Sequence, residues 1–385
     1  MLTQIRVNAR ALSRNVMRLR RQLAPGVLLA PCVKGNGYGH GLVLSARAFL
    51  SGSADWLCVN AVYEAQRLRD AGIAAPIYVL GYVGQGELAQ ALRLGCRLVV
   101  YNHETVEASS RVAVRLNLRA RLHLKVETGN NRQGVKLEEA LMMARRIASL
   151  EGVELEGVAS HFANIEDTTD HRYAKSQFER FGVFCRALER EGIRPPLRHM
   201  ANSAAAMLMP DTQLELVRPG ISAYGMWPSK ETLLSAQLAE RPMLGLEPSL
   251  TWTCRVAQLK EVEPGEFVGY GCTFRTTHRT KLAILPVGYY DGYPRALSNS
   301  AHVLIDGRRA EVRGRVCMNI IMVDVTDIPG VTLESEAVLL GQSGEERITA
   351  EQFAEWAGTI NYEVTTRIND RILRVVDKEG ESASV

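Results

Sequence analysis

Between Ala30 and Gly41 the chain reads A-P-C-V-K-G-N-G-Y-G-H-G, which sets one lysine at the end of an apolar run and directly before a glycine-rich turn. A primary amine condenses with an aldehyde, so Lys34 is a candidate for Schiff-base chemistry. Burial disfavours the charged ammonium and supplies the neutral amine that such chemistry needs. On this segment alone, a strand-end lysine paired with a carboxylate is the competing reading. The glycines after it allow sharp turns and close approach of the backbone to a ligand. Because the lysine precedes them and their spacing is not G-x-G-x-x-G, they do not form a nucleotide fingerprint.

Something must position that lysine. The run 27–33 has the length and composition of a buried strand, and similar runs recur at 56–59, 77–80, 98–101, 122–126, 155–159, 197–200 and 214–217. Between them, Leu137, Ala140, Leu141, Ala144, Ile147 and Leu150 fall on one helical face, as do Phe178, Phe181, Phe184, Cys185 and Leu188. Strand, loop and helix repeated in this way predict an α/β fold, an N-terminal (β/α)8 TIM-type barrel, with a doubly wound open sheet as the alternative. In a barrel the residues just after each strand form one rim. Here that rim would hold Lys34, Asn60, Tyr82, Asn102, Lys125, His161, Asn202 with Ser203, and Arg218 with Gly220. The segments A-N-S and R-P-G-I-S follow the seventh and eighth runs, where barrels often bind phosphate through backbone N–H groups and hydroxyls. A lysine joined to a phosphate cradle points to pyridoxal phosphate.

From residue 246 the pattern becomes β-rich, which divides the chain into an expected barrel, 1–245, and a mainly β domain, 246–385. In T-W-T-C-R-V, Trp252, Cys254 and Val256 share a face, and Asp306-Gly307 is a hairpin-type turn. A T-x-x-Q box at Thr349 to Gln352 starts a late helix, and Glu379–Val385 reads as a disordered tail. With 385 residues, 46% of them hydrophobic, the chain has enough apolar material for a large core. Lys and Arg number 46 against 42 Asp and Glu, and the basic residues are dispersed, so neither nucleic acid nor a membrane is expected as partner. The N-terminus lacks an apolar signal core, which leads us to expect a cytoplasmic protein. Seven scattered cysteines without a C-x-x-C argue against disulfides and against a metal site; each is expected to be a small buried apolar residue.

V-K-G-N-G-Y-G-H-G, H-L-K-V-E-T-G-x-x-R-x-G, S-H-F-A, A-N-S-A, V-R-P-G-I-S-x-Y-G, Y-G-x-T-F, P-V-G-Y-x-D-G-Y-P-R, V-C-M and N-Y-E occur in that order across nearly the whole chain. Together they resemble the alanine racemases, a family of isomerases dependent on pyridoxal 5'-phosphate. The resemblance implies a Schiff base between the cofactor and Lys34, and a head-to-tail homodimer in which the β domain of one subunit completes the barrel site of the other. It implies interconversion of L-alanine and D-alanine, supplying D-alanine for peptidoglycan. Removing the Cα proton from one face and returning it on the other calls for two bases, which by resemblance are Lys34 and Tyr270, the latter from the partner subunit. A phenol is a weak base at neutral pH unless a cation favours its phenolate, and Arg132 is the matching cation. Arg132 would also meet the substrate carboxylate, with Lys125, carbamylated in many relatives, holding it in place. Arg218 matches the residue facing the pyridine nitrogen, with His161 behind it; read alone, His161 would be a core histidine. Phosphate contacts carried over by motif are Tyr38, Ser203, Gly220, Ile221 and Tyr362. Met318 would offer its backbone N–H to the substrate carboxylate, and Tyr289 would line the entrance.

Two segments depart from the pattern. Asn319 follows V-C-M where relatives acting on alanine usually carry aspartate, which would admit a small polar substrate such as serine beside alanine. Glu127 and Asn130 stand in E-T-G-N-N-R-Q-G where many relatives have D-T-G-M-x-R-x-G. The competing readings are a racemase of serine or of broader specificity, a decarboxylase on a related fold, a cofactor carrier made of the barrel alone, and a member that has lost catalysis. Arg218 opposes the decarboxylase, which usually places an acid at the pyridine nitrogen, and the added β domain opposes the carrier.

Overall fold

The computed structural model describes residues 2–241 and 243–377, so the expected tail at Glu379–Val385 lies outside the described residues. The chain divides into two units: residues 10–37 with 42–248, and residues 1–9, 38–41 and 249–385. A division after residue 245 would have assigned both short segments to the barrel. The first strand is β1 (Thr3–Val7), and it lies in the strand-rich unit.

The larger unit contains β2 (Leu28–Leu29), β3 (Leu57–Val59), β4 (Ile77–Val79), β5 (Arg97–Val100), β6 (Ala120–Lys125), β7 (Val153–Ala159), β8 (Leu197–His199) and β9 (Leu216–Val217). These are the eight runs read from the sequence. Strands β3 to β8 pair in sequence order, all parallel, and β2 pairs with β9. The ring closes through short joins: Val33 N–H donates to Cys58 O at 2.8 Å on one side, and Arg218 N–H to Ala201 O at 3.0 Å on the other. First strand beside last, with the others in order, is a curled parallel barrel and excludes the doubly wound alternative. Every residue of β3 and β4 is buried, as expected of strands covered on both faces. The helix Leu137–Ser149 buries Ala140, Met143, Ala144 and Ile147, and Arg172–Arg190 buries Phe181, Phe184, Cys185 and Leu188.

In the other unit β1 is followed by β10 (Leu250–Arg255), β11 (Gln258–Val262), β12 (Phe267–Val268), β13 (Phe274–Arg275), β14 (Thr280–Leu285), β15 (His302–Ile305), β16 (Arg308–Glu311), β17 (Ile321–Asp324), β18 (Glu336–Ser343), β19 (Glu346–Ile348) and β20 (Leu373–Val376). The main sheet runs β16-β15-β18-β10-β1-β20, with β1 antiparallel to β10 and parallel to β20; β11, β14 and β17 form a second sheet. Trp252, Cys254 and Val256 are buried together, as the alternation predicts. Asp306 and Gly307, both at positive φ, turn β15 into β16. Thr349 Oγ1 accepts from Gln352 N–H at 3.1 Å and starts the helix Ala350–Ala357. All seven cysteines are free thiols, but Cys272 is exposed and Cys317 half-buried, so for these two the expected burial is not found. Among the described residues no helix is long and apolar enough to cross a membrane.

Candidate active site

Lys34 leads into a backbone that turns the wrong way for most residues. Gly35, Asn36 and Gly37 have φ of 61°, 52° and 62° with ψ of 46° to 47°, and φ stays positive at Tyr38 and Gly39. The segment is one left-handed helical turn, a conformation costing an ordinary L-residue about 1–2 kcal/mol and glycine almost nothing. Gly35 N–H donates to Glu64 Oε1 at 2.8 Å, Gly37 N–H to Val33 O at 2.8 Å, and Leu42 N–H to Asn36 Oδ1 at 2.9 Å. Lys34 itself is half-buried, a correction to the desolvated lysine expected there. The strand positions before it are buried, but the turn carries the lysine beyond them.

The buried lysine is Lys125, at the end of β6, whose Nζ donates to Ser160 O at 3.0 Å. Burial pushes its amine well below the usual lysine range, Arg218 and Arg132 add to that, and Glu127 opposes it. His161 is held well below the usual histidine range by burial and then by Lys125, Arg218, Arg132 and Lys34. Lys125, Arg132 and His161 line one cavity, and burial keeps the imidazole neutral. Asn130 donates from Nδ2 to Phe162 O at 3.1 Å and ties the loop of Arg132 to the strand end beside His161.

Beside this cluster lie the two loops expected to hold phosphate. Asn202 caps the helix Ser203–Leu208 through Oδ1 to Ala205 N–H at 3.0 Å. Ser203 Oγ accepts from Gly220 N–H at 2.9 Å, from Ser222 Oγ–H at 3.0 Å and from Ser222 N–H at 3.4 Å. One hydroxyl therefore joins the loops after β8 and β9, with Ile221 between its partners. Arg218, buried, donates to Ser160 O at 2.9 Å and to His199 Nδ1. The histidine bonded to Arg218 is thus His199, while His161 lines the cavity that Lys125 and Arg132 share.

The strand-rich unit holds the other candidates. Tyr38 and Tyr362 lie with ring centroids 6.1 Å apart. Tyr270 opens a short turn between Gly269 and Gly271, both at positive φ, and is 72% exposed. Arg315, which the sequence reading missed, lies against that turn: a Cβ on Gly271 would stand 2.8 Å from its guanidinium carbon. The segment carrying Tyr289 is pinned to the one carrying Met318 by Tyr289 N–H to Cys317 O at 3.0 Å and Tyr290 N–H to Met318 O at 2.9 Å. Asn319 Nδ2 donates to Asp291 Oδ2 at 3.4 Å. An aspartate at 319 would face a like charge there.

Arginines, loop amides and hydroxyls make up a donor set for a dianion and a carboxylate, and the residues present, with the Lys34 amine, fit pyridoxal phosphate. Residues 7–228 match the family described as alanine racemase, N-terminal domain, and residues 249–376 match alanine racemase, C-terminal domain. The alanine racemase of Symbiobacterium thermophilum is 42% identical over 382 residues, 99% of this chain and 96% of that protein. That of Desulforamulus reducens is 40% identical over 96% of this chain and 97% of its own length. Among solved structures, alanine racemase from Bacillus anthracis with bound L-Ala-P superposes with a TM-score of 0.91 at 32% identity, covering 98% of this chain and 95% of that one. With both domains matched and relatives this similar over nearly their whole length, the chain belongs to the alanine racemase family, isomerases that depend on pyridoxal phosphate.

Proposed function

We propose that this protein interconverts L-alanine and D-alanine by passing the Cα proton between two bases, with pyridoxal 5'-phosphate as cofactor. The observation that carries the reading is the cavity lined by Lys125, Arg132 and His161, with Lys125 and Arg218 both donating to Ser160 O, together with the loop pair joined by Ser203. When bound, the cofactor supplies a carbonyl for an amine and a conjugated ring that spreads the charge developing at Cα. Lys34, Ser203, Gly220 and Ile221 would hold it, with Tyr38 and Tyr362 as further phosphate contacts. Arg218 would donate a hydrogen bond toward the pyridine nitrogen without yielding a proton, which keeps the chemistry to proton exchange at Cα.

The Lys34 amine would take or return the Cα proton on one face, and the phenol oxygen of Tyr270, from the partner subunit, on the other. The exposure of Tyr270 and of Met318, 72% and 55%, supports their working toward a second subunit of a homodimer. Arg132 and the Met318 N–H would meet the substrate carboxylate, and Tyr289 would flank the entrance. Lys125 is suited to carbamylation, since burial favours the neutral amine that reaction needs. In the cytoplasm the product would be D-alanine for peptidoglycan.

The test is incubation of the protein and pyridoxal phosphate with L-alanine in heavy water, followed by chiral chromatography. The expected result is D-alanine deuterated at Cα, with Lys34→Ala and Tyr270→Phe each slowing it more than about a hundredfold. Faster turnover of serine would change the substrate and keep the mechanism. No exchange with any amino acid would overturn the two-base assignment.

A further inference from the structure

Behind Arg218 the barrel interior holds polar side chains that the chemistry above does not use. His199 Nε2 lies 2.7 Å from His123 Nδ1, and His123 Nε2 lies 3.0 Å from Glu156 Oε2. Both imidazoles are fully buried and Glu156 is 9% exposed. The same Oε2 of Glu156 also accepts from Arg97 Nε at 3.2 Å, and Arg121 Nε stands 3.6 Å from Oε1. The guanidinium of Arg97 stacks over Trp56 at 4.6 Å.

These contacts fix where every proton sits. A guanidinium only donates, so His199 Nδ1, facing Arg218, must accept. A neutral imidazole carries one N–H, which on His199 is then at Nε2 and donates to His123 Nδ1. The proton of His123 is therefore at Nε2 and donates to Glu156, whose carboxylate only accepts. With a cation at one end and a carboxylate at the other, the chain has one polarity. Reversing it would turn an N–H of His199 against the N–H groups of Arg218.

The local backbone is built to hold this chain. The β6–β7 register shifts between Leu122 and His123, which brings His123 opposite Gly157. A Cβ on Gly157 would lie 2.4 Å from His123 Nδ1, so only glycine leaves room for the ring. Tyr78 packs against both imidazoles, with centroid separations of 4.6 Å and 5.4 Å.

We infer that Glu156 and His123 are positioning residues for Arg218: they lock the tautomer of His199 so that it always presents a lone pair to the guanidinium and sets its orientation at the rim. The effect on chemistry rests on reading Arg218 as the residue facing the pyridine nitrogen; the tautomer assignment does not.

The experiment uses the whole chain labelled with 15N-histidine. Long-range 1H–15N spectra are expected to show His123 and His199 as Nε2–H tautomers, with and without pyridoxal phosphate. Glu156→Leu removes the acceptor and should mix the tautomers, shift the near-visible absorption of the bound cofactor, and lower kcat about tenfold with KM within about twofold. Glu156→Gln keeps an oxygen for His123 and should restore both the tautomers and the spectrum. An Nδ1–H on either histidine of the unaltered protein overturns the inference, and that result needs no variant to fold. So does Glu156→Leu with unaltered tautomers and spectrum, or equal damage from Leu and Gln, which would mark Glu156 as a structural charge. If the unaltered protein gave no near-visible band with pyridoxal phosphate, the cofactor reading of Arg218 would fall, and the tautomers alone would decide the relay.

Discussion

Ser203→Ala removes a single oxygen on which three donors converge, and the structure gives the size of the effect. The hydroxyl of Ser222, 3.0 Å away, can rotate to another acceptor, and its N–H at 3.4 Å is a weak contact. The N–H of Gly220, at 2.9 Å, is fixed by the backbone and stays buried. Leaving one buried N–H unpaired costs about 1–3 kcal/mol. That amount should appear in the urea unfolding of the cofactor-free variant. If the same hydroxyl also donates to a phosphate dianion, its loss removes a charge-assisted bond of about 1.5–3 kcal/mol. Affinity for pyridoxal phosphate should then fall roughly ten- to a hundredfold, read by titrating the near-visible absorbance. Lower stability with unchanged affinity would make Ser203 a loop staple and remove it from the phosphate contacts. No change in either quantity would refute the hydrogen-bond reasoning itself.

Three further outcomes are expected. His123 and His199 are buried, and burial first of all holds both imidazoles below their ordinary value. As pH falls through about 6.5 the unfolded chain therefore takes up protons that the folded chain refuses, and stability should drop by up to about 1.4 kcal/mol per pH unit for each histidine. Urea midpoints of the cofactor-free protein between pH 7.5 and 5.5 check this, and a midpoint that holds or rises on acidification contradicts it. Gly37→Ala puts a side chain at φ +62° with its Cβ 2.5 Å from Ser45 Oγ, so a loss of about 2–4 kcal/mol is expected in thermal or urea unfolding. A loss under about 0.5 kcal/mol would mean that the turn rebuilds freely. Asn319→Asp exchanges a donor to Asp291 for a like charge and should lower the ratio of kcat/KM for serine to that for alanine; an unchanged ratio removes Asn319 from specificity.

What could be read in advance follows from periodicity. Each barrel strand is a run of apolar residues covered on both faces, so it stands out against its loops, and the rim then follows from the rule that barrel chemistry sits after the strands. The chain Glu156–His123–His199 did not stand out, because L-H-L-K and L-R-H-M read as ordinary strand ends and the three residues lie on three strands, two of which pair with a register shift. One signal was there: His123 and Lys125 are two apart in a strand and so share a face. Lys34 misled in the opposite direction. Its apolar run promised burial, yet the left-handed turn of the next residues takes it out of the strand, and such a turn is invisible to apolar patterning. The motifs showed where Tyr270 lies in the sequence but not Arg315 beside it, since nothing in the local pattern links residues 45 positions apart.

The pairing of β1 bears on how the protein comes to be made. Its neighbours in the sheet are β10 and β20, so residues 3–7 find their partners only at 250–255 and 373–376. At roughly 5–20 residues per second on the ribosome, the leading strand waits from about twenty seconds to more than a minute for β20 to be synthesised. The barrel sequence emerges completely in that interval, an insertion within the strand-rich unit that can fold while the outer strands are still unpaired. A short strand held this long with open edges is an opportunity for mispairing. Release of the nascent chain should therefore limit recovery of the strand-rich unit, and removal of residues 2–7 should harm that unit more than the barrel, as hydrogen exchange resolved by segment would reveal.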